Sequence, residues 1–260
     1  MTLIVIIKLF AAIVSVALGA GILARDHGLK ANRLIAAFLF CNAFWAVTEF
    51  FLFQPQDSHS ALLLFRVMAL GWVPLGVLCM HASLALSAME DHPIARTMPI
   101  FYAGCAVVIP LAVSTDLVFA GVEPTEIGWR PIFAPGFALA YGLMATPLVM
   151  ILACWRRTMT LREPRGQLQL ARVVFFGLSA SLVVGTITAV VLPTLGFGAV
   201  GVTPTLVGLV GLAVNRTLRR YGHTLISPDA CAREILDTLE DGVVLIAADG
   251  RIRDVNRAFV

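Results

Sequence analysis

Charge is what this chain most lacks. Asp, Glu, Lys and Arg make up 13% of its 260 residues, against roughly 25% in soluble globular domains. A surface that poor in charge cannot face water all round, which excludes an ordinary soluble domain. Lysine is scarcer still, at positions 8 and 30 alone. A retinal protein is excluded, because its Schiff base needs a lysine in a late apolar segment. The five cysteines (41, 79, 105, 154 and 231) show no CxxC or Cys/His spacing. They read as small buried apolar residues rather than as a metal centre or disulfide framework. No Ser/His, paired-Asp or His-rich constellation marks a hydrolytic site. No internal repeat suggests a secondary transporter. The sequence pI of about 8.7 comes from arginines scattered through short loops rather than gathered in a patch, so no nucleic-acid partner is expected.

Apolar residues are plentiful, at 59% of the chain with a mean hydropathy of +0.89. A spanning helix needs about 20 apolar residues. Spans are expected at roughly 3–23, 34–53, 61–86, 97–115, 136–155, 172–192 and 198–214. The fold class is therefore an all-α membrane protein, a bundle of seven transmembrane helices with the lipid bilayer as its first partner. Placing the N-terminus outside puts Arg25, Lys30, Arg33, Arg96, Arg156, Arg157, Arg162, Arg165, Arg172, Arg216, Arg219 and Arg220 on the cytoplasmic side, and Arg66 and Arg130 on the other. That asymmetry sets the expected orientation, with the C-terminus in the cytoplasm. In the longest outer loop, 116–135, and just beyond it, Trp129, Ile132, Phe133 and Phe137 are expected to lie in the membrane interface. Small residues recur at Ala11, Ser15 and Gly19, and at Gly177, Ser181, Gly185 and Ala189. Such stripes serve close packing inside one bundle or a homodimer seam. Pro74, Pro110, Pro147 and Pro204 fall inside spans and are expected to kink them.

Ionisable residues inside spans are functional candidates by default. Lys8, Glu49 and Arg66 lie at similar depths toward the outer ends of spans 1, 2 and 3. Glu49 and Arg66 flank one hairpin loop symmetrically and are expected to pair, leaving a surplus positive charge. Two readings stand. In one, the charges neutralise each other or snorkel to the surface. In the other, they floor an outward-facing pocket rimmed by Trp45, Phe50, Trp72 and the 116–135 loop with its Trp129 and Arg130. Such a pocket would take a small-molecule or lipid-like signal with an anionic headgroup. The candidate ligand-binding residues are thus Lys8, Trp45, Glu49, Arg66, Trp72, Trp129 and Arg130. His81 reads as a hydrogen-bonded core histidine, and Asn42 and Thr48 as interhelical hydrogen-bond donors. No catalytic residue, metal or cofactor is implied.

After Val214 the pattern changes. Ser227-Pro228 reads as a helix start, Val243–Ile246 and Ile252–Val255 as strands, and Asp249-Gly250 as the turn between them. The divisions are a sensor bundle over 1–220, a linker helix over 221–241 and an incomplete domain over 242–260. That last hairpin, lacking a partner layer, is expected to be poorly ordered.

Span 2, from Ala31-Asn32-Arg33-Leu34 through Trp45 to Glu49-Phe50, with Arg66 and Gly71-Trp72 in span 3, resembles the seven-helix N-terminal domain of bacterial sensor histidine kinases. The run from Glu234 through Asp241-Gly242, then Asp249-Gly250 and Asn256 to Phe259, resembles the start of a PAS domain. The resemblance implies a membrane input domain, a homodimer formed through cytoplasmic regions, and a histidine kinase or diguanylate cyclase output that this chain does not contain. A small-solute transporter and a structural anchor are the competing readings.

Overall fold

The computed structural model describes residues 2–54, 57–87, 89, 92–126, 128–160, 165–197, 201–225, 239, 241–246, 252–256, 258 and 259. The bundle helices are α1 (Thr2–Arg25), α2 (Lys30–Leu52), α3 (Ser58–Trp72), α4 (Leu75–Leu86), α5 (Met98–Ser114), α6 (Gly136–Thr160), α7 (Arg165–Thr186), the short α8 (Leu192–Thr194) and α9 (Thr203–Leu225). The α3–α4 pair is one rod broken at Pro74, which has no N–H to continue the ladder. Pro110 and Pro147 sit inside α5 and α6.

Helix α1 shows the solvent these helices are built for. Its buried positions, Lys8, Ala11, Ala12, Ser15 and Ile22, are mostly small or polar, while the exposed Ile6, Phe10 and Ile13 are large and apolar. A helix packed against a core in water shows the reverse. Exposed Phe44 on α2, Ile100 and Val107 on α5, Leu139 and Val149 on α6, and Phe176 and Val183 on α7 repeat the pattern. The two small-residue stripes lie inside the bundle. A Cβ on Gly177 would meet Val210, one on Gly185 would meet Thr203, and one on Gly19 would meet Phe40.

Among the described residues, six rods are long and apolar enough to cross a membrane, rather than the seven expected. The seventh crossing is broken. Pro204 is not inside a span but is the second residue of α9, where its missing N–H costs nothing. Its carbonyl accepts from Asn42 Nδ2 at 3.0 Å, and Asn42 lies about 15 Å back along α2 from Leu52. Gly201 packs on the Glu49 side chain. At the opposite end, Arg25 Nη1 donates to Asn215 Oδ1 at 3.3 Å. Thus α9 begins at mid-depth beside α1, α2 and α7. Its apolar part, Thr203–Val214, rises about 18 Å, less than the roughly 30 Å of a hydrocarbon core. Hydropathy also misplaced helix ends. α6 continues to Thr160 and α7 starts at Arg165, because helical hydrogen bonding runs on into polar sequence beyond the apolar segment.

Two irregularities precede α9. The residues Ile187–Val191 form a π-helical turn, closed by the Leu192 N–H donating to the Ile187 carbonyl. Pro193 follows, and its ring would collide with the carbonyl four residues back in a regular α-helix. The wider turn removes that conflict. Gly196, at φ 93°, then reverses the chain.

The loop expected over 116–135 is a β-hairpin, β1 (Phe119–Thr125) with β2 (Gly128–Phe133), antiparallel, with Thr125 opposite Gly128. Gly128 has φ 134°, which glycine alone adopts freely. Its aromatics are not an interfacial belt. Phe119 is 2% exposed, and Phe133 stacks on Phe137 at 3.9 Å between centroids. Ile132 remains exposed. Near the C-terminus, β3 (Val244–Ile246) pairs with β4 (Ile252–Val255) as the sequence predicts. Asn256 clamps that hairpin, accepting from the Val243 N–H at 2.8 Å and donating to the Asp241 carbonyl at 2.8 Å. The helix expected around 228–240 and the 249–250 turn lie outside the described residues.

Candidate functional site

The core of the bundle holds a partly open cavity of about 110 Å³, somewhat smaller than the roughly 150 Å³ apolar cavities that hold a benzene ring. Its lining comes from α2 (Phe38, Trp45, Glu49, Leu52), α3 and α4 (Phe65, Met68, Trp72, Leu75) and the β1–β2 hairpin (Phe119, Trp129, Phe133). The rest comes from α6 (Phe137, Tyr141, Met144), α7 (Ser181, Gly185, Thr186) and Gly201, Thr203 and Val207 around the start of α9. The hairpin caps it because Phe119, buried, packs in tilted contact with Phe65, Phe133 and Phe137. Phe137 carries the contact on to Trp72 at 6.0 Å. The two wall helices α4 and α6 approach so closely that a Cβ on Gly76 would lie 1.9 Å from the Met144 carbonyl oxygen.

Four of the seven candidate residues, Trp45, Glu49, Trp72 and Trp129, line this one cavity. Phe50, expected at its rim, does not. The charges are arranged differently from the expectation. Glu49 pairs with Lys8, not with Arg66, and both members are buried, with side chains 9% and 2% exposed. Arg66 pairs with Asp116, whose side chain is 76% exposed. Equal depth in two helices does not make side chains face each other, because each residue turns about 100° round the axis. Phe65, Met68, Ala69 and Trp72 are the buried face of α3, and Arg66 points away from it.

Lys8 was legible in a different way. It lies three residues before Ala11 on the same stripe as Ser15 and Gly19, the face of α1 that packs inward. Glu49 is likewise in helical register with Asn42 and Ala46, both fully buried on α2. Those two stripes, read together, place lysine against glutamate.

Arg130 lies outside the cavity. Its Nε donates to Glu123 Oε2 at 2.9 Å, across the hairpin from its register partner. Its Nη1 donates to the Pro193 carbonyl at 3.3 Å, tying the hairpin to α8. The net +1 cluster for an anionic headgroup is therefore not formed. Lys8 neutralises Glu49, and Arg66 and Arg130 are paired with Asp116 and Glu123.

Polar residues that the sequence treated as packing also meet here. Asn42 Nδ2 donates to Ser15 Oγ at 2.9 Å as well as to Pro204, knitting α1, α2 and α9 together. Thr48 is not interhelical, since its hydroxyl bonds back to Phe44 and Trp45 carbonyls of its own helix. The Tyr141 hydroxyl is hydrogen-bonded to Thr186 at the mouth of the π-turn. Away from the cavity, His81 Nδ1 bonds the Tyr102 hydroxyl at 2.9 Å. Cys79 and Cys105 are buried and Cys41 and Cys154 half-buried.

Among the described residues, two cavity-lining atoms make no hydrogen bond of full geometry, the Trp45 indole Nε1 and the Thr203 hydroxyl. The indole lies against the Glu49 carboxylate and acts on it as a donor. Glu49 and Trp45 thus join Thr203, Ser181, Thr186 and Tyr141 as the polar groups of a mainly aromatic and aliphatic lining. No protein-family model, no curated protein and no solved structure matches this chain.

Proposed function

We propose that this chain is the membrane-embedded input domain of a bacterial signalling receptor, with its N-terminus outside and its C-terminal segment in the cytoplasm. The cavity is its signal site and α9 its relay. One observation carries this reading. The cavity is bounded by Gly201, Thr203 and Val207, the residues that begin α9, so whatever fills it bears on the helix that leaves the bundle at its basic end. A ligand shifts an equilibrium only through contacts that differ between two states, and on this reading a filled and an empty cavity hold the start of α9 in two different positions. The output, a histidine kinase or a diguanylate cyclase acting as a homodimer, follows from the resemblance of the 234–259 run to a PAS start.

A broken helix beside a mid-depth cavity also occurs in secondary transporters, and this is the observation that favours the alternative. Spin labels at Asp26→Cys and Arg219→Cys, on a cysteine-free background in nanodiscs, should change separation when toluene fills the cavity. An unchanged separation with toluene bound, together with solute flux in liposomes, would replace the receptor by a transporter. Orientation is tested by an impermeant thiol reagent on intact cells. It should label Glu126→Cys and spare Asp26→Cys, and the opposite pattern would reverse the topology.

A further inference from the structure

Resting on the reading of the cavity as a ligand site, we infer that its ligand is a neutral aromatic or similarly apolar molecule bearing one hydrogen-bond-accepting oxygen, a ketone, ester or alcohol, with that oxygen at Trp45. Charge is the first argument. Glu49 is the one charged residue among the described residues that line the cavity, and Lys8 already compensates it. A carboxylate or ammonium entering this space would bring an uncompensated charge into an apolar interior, which is strongly unfavourable.

The polar inventory is the second argument. Trp45 is 7% exposed, and its indole nitrogen is a donor with no acceptor capacity. Its contact with Glu49 falls short of full hydrogen-bond geometry among the described residues, so the N–H keeps the capacity to donate to an oxygen acceptor on the ligand. Thr203, whose hydroxyl lacks a partner among the described residues, stands in the same lining and accepts from an alcohol or donates to a carbonyl. Size is the third argument. The volume limits the ligand to about a single ring, with any short substituent reaching toward the open side of the cavity, and Trp72, Phe133, Phe137 and Tyr141 offer faces and edges for the ring.

Three probes of one size separate the terms: acetophenone, ethylbenzene and benzoate. Three of the chain's four tryptophans line the cavity, so tryptophan quenching reports acetophenone, and the other two are measured by competition in the purified protein. Acetophenone should bind about tenfold tighter than ethylbenzene, the worth of one buried hydrogen bond, and benzoate should not compete. Trp45→Phe removes the N–H and should bring acetophenone down to the ethylbenzene level while leaving ethylbenzene unchanged. Thr203→Val supplies a second variant should Trp45→Phe fold poorly, and should weaken acetophenone alone. Equal binding of acetophenone and ethylbenzene, or equal weakening of both by each variant, would overturn the acceptor assignment and leave the cavity a ligand site. Preference for benzoate would overturn neutrality. Failure of all three probes to bind saturably would remove both this assignment and the reading of the cavity on which it rests.

Discussion

Replacing Glu49 by Gln strands the Lys8 ammonium in the interior, where its side chain is 2% exposed. Breaking one partner of a buried pair costs about 3–5 kcal/mol. A second route to the number agrees. Near neutral pH an uncompensated lysine sheds its proton for about 4.6 kcal/mol and a glutamate takes one up for about 3.7 kcal/mol, from their ordinary pKa values. These figures cap the loss in Glu49→Gln and Lys8→Met respectively, since neutralisation is always available. Replacing both partners by apolar side chains of similar volume is often neutral or stabilising, so Lys8→Met with Glu49→Leu should unfold within ~1 kcal/mol of the parent. The coupling in a double-mutant cycle whose singles are Lys8→Met and Glu49→Leu should then be about 3 kcal/mol or more. Unfolding titrations with SDS in dodecylmaltoside micelles would measure all four proteins. Losses that simply add in the double variant would refute the pairing, and a double variant worse than either single would refute the claim that the pair is dispensable for stability.

Arg66→Ala provides the contrast. Its partner Asp116 is largely exposed, so the loss should stay below about 1 kcal/mol in the same titration, and a loss matching that of Glu49→Gln would be inconsistent with the assigned partners. Gly201→Ala would put a Cβ 2.2 Å from Glu49 Oε1. Overpacking of this kind costs about 1–3 kcal/mol, and the cost should largely vanish on a Glu49→Ala background, whereas persistence there would place the clash elsewhere. Asp57 caps α3 by accepting from the Ser60 N–H at 2.8 Å. That bond holds its carboxyl below the usual aspartate range. A depressed folded-state pKa means the contribution is present above the ordinary aspartate pKa and lost as pH falls through the folded value. Asp57→Asn keeps an N-cap and should flatten this acid-side slope in thermal melts, and a slope unchanged by the substitution would trace it to another group.

The rods themselves were legible because hydropathy reports the solvent of each segment directly. Glu49, Trp45, Trp72 and Trp129 were legible as a group because a buried charge and aromatics at one depth point to one place. Pairing was not legible from depth, since Arg66 and Glu49 differ in azimuth, and azimuth needs the stripe on which each residue lies. The hairpin was missed because Phe119, Phe133 and Phe137 suit a membrane interface and a closed core equally well by composition. The break before α9 was missed because Gly201 and Val202 are as apolar as any helical residue. What marks Gly201 is the partner it meets, Glu49, a contact distant in sequence, while Val202 closes the first turn of α9 through its carbonyl.

The short apolar part of α9 bears on how such a chain would be assembled. Insertion machinery sorts segments by hydrophobicity, and a free-standing span needs roughly 20 apolar residues. Thr203–Val214 is followed at once by Asn215, Arg216, Arg219 and Arg220, and by itself falls short of that threshold. Its place is made by surfaces that exist only once α1, α2 and α7 are together, through the Asn42 contacts to Ser15 and Pro204 and the Gly177 seat for Val210. α9 therefore enters last, drawn in by a preformed groove. A chain deprived of α1 would leave it stranded on the side where synthesis occurs, with the five remaining rods inserted and the relay absent.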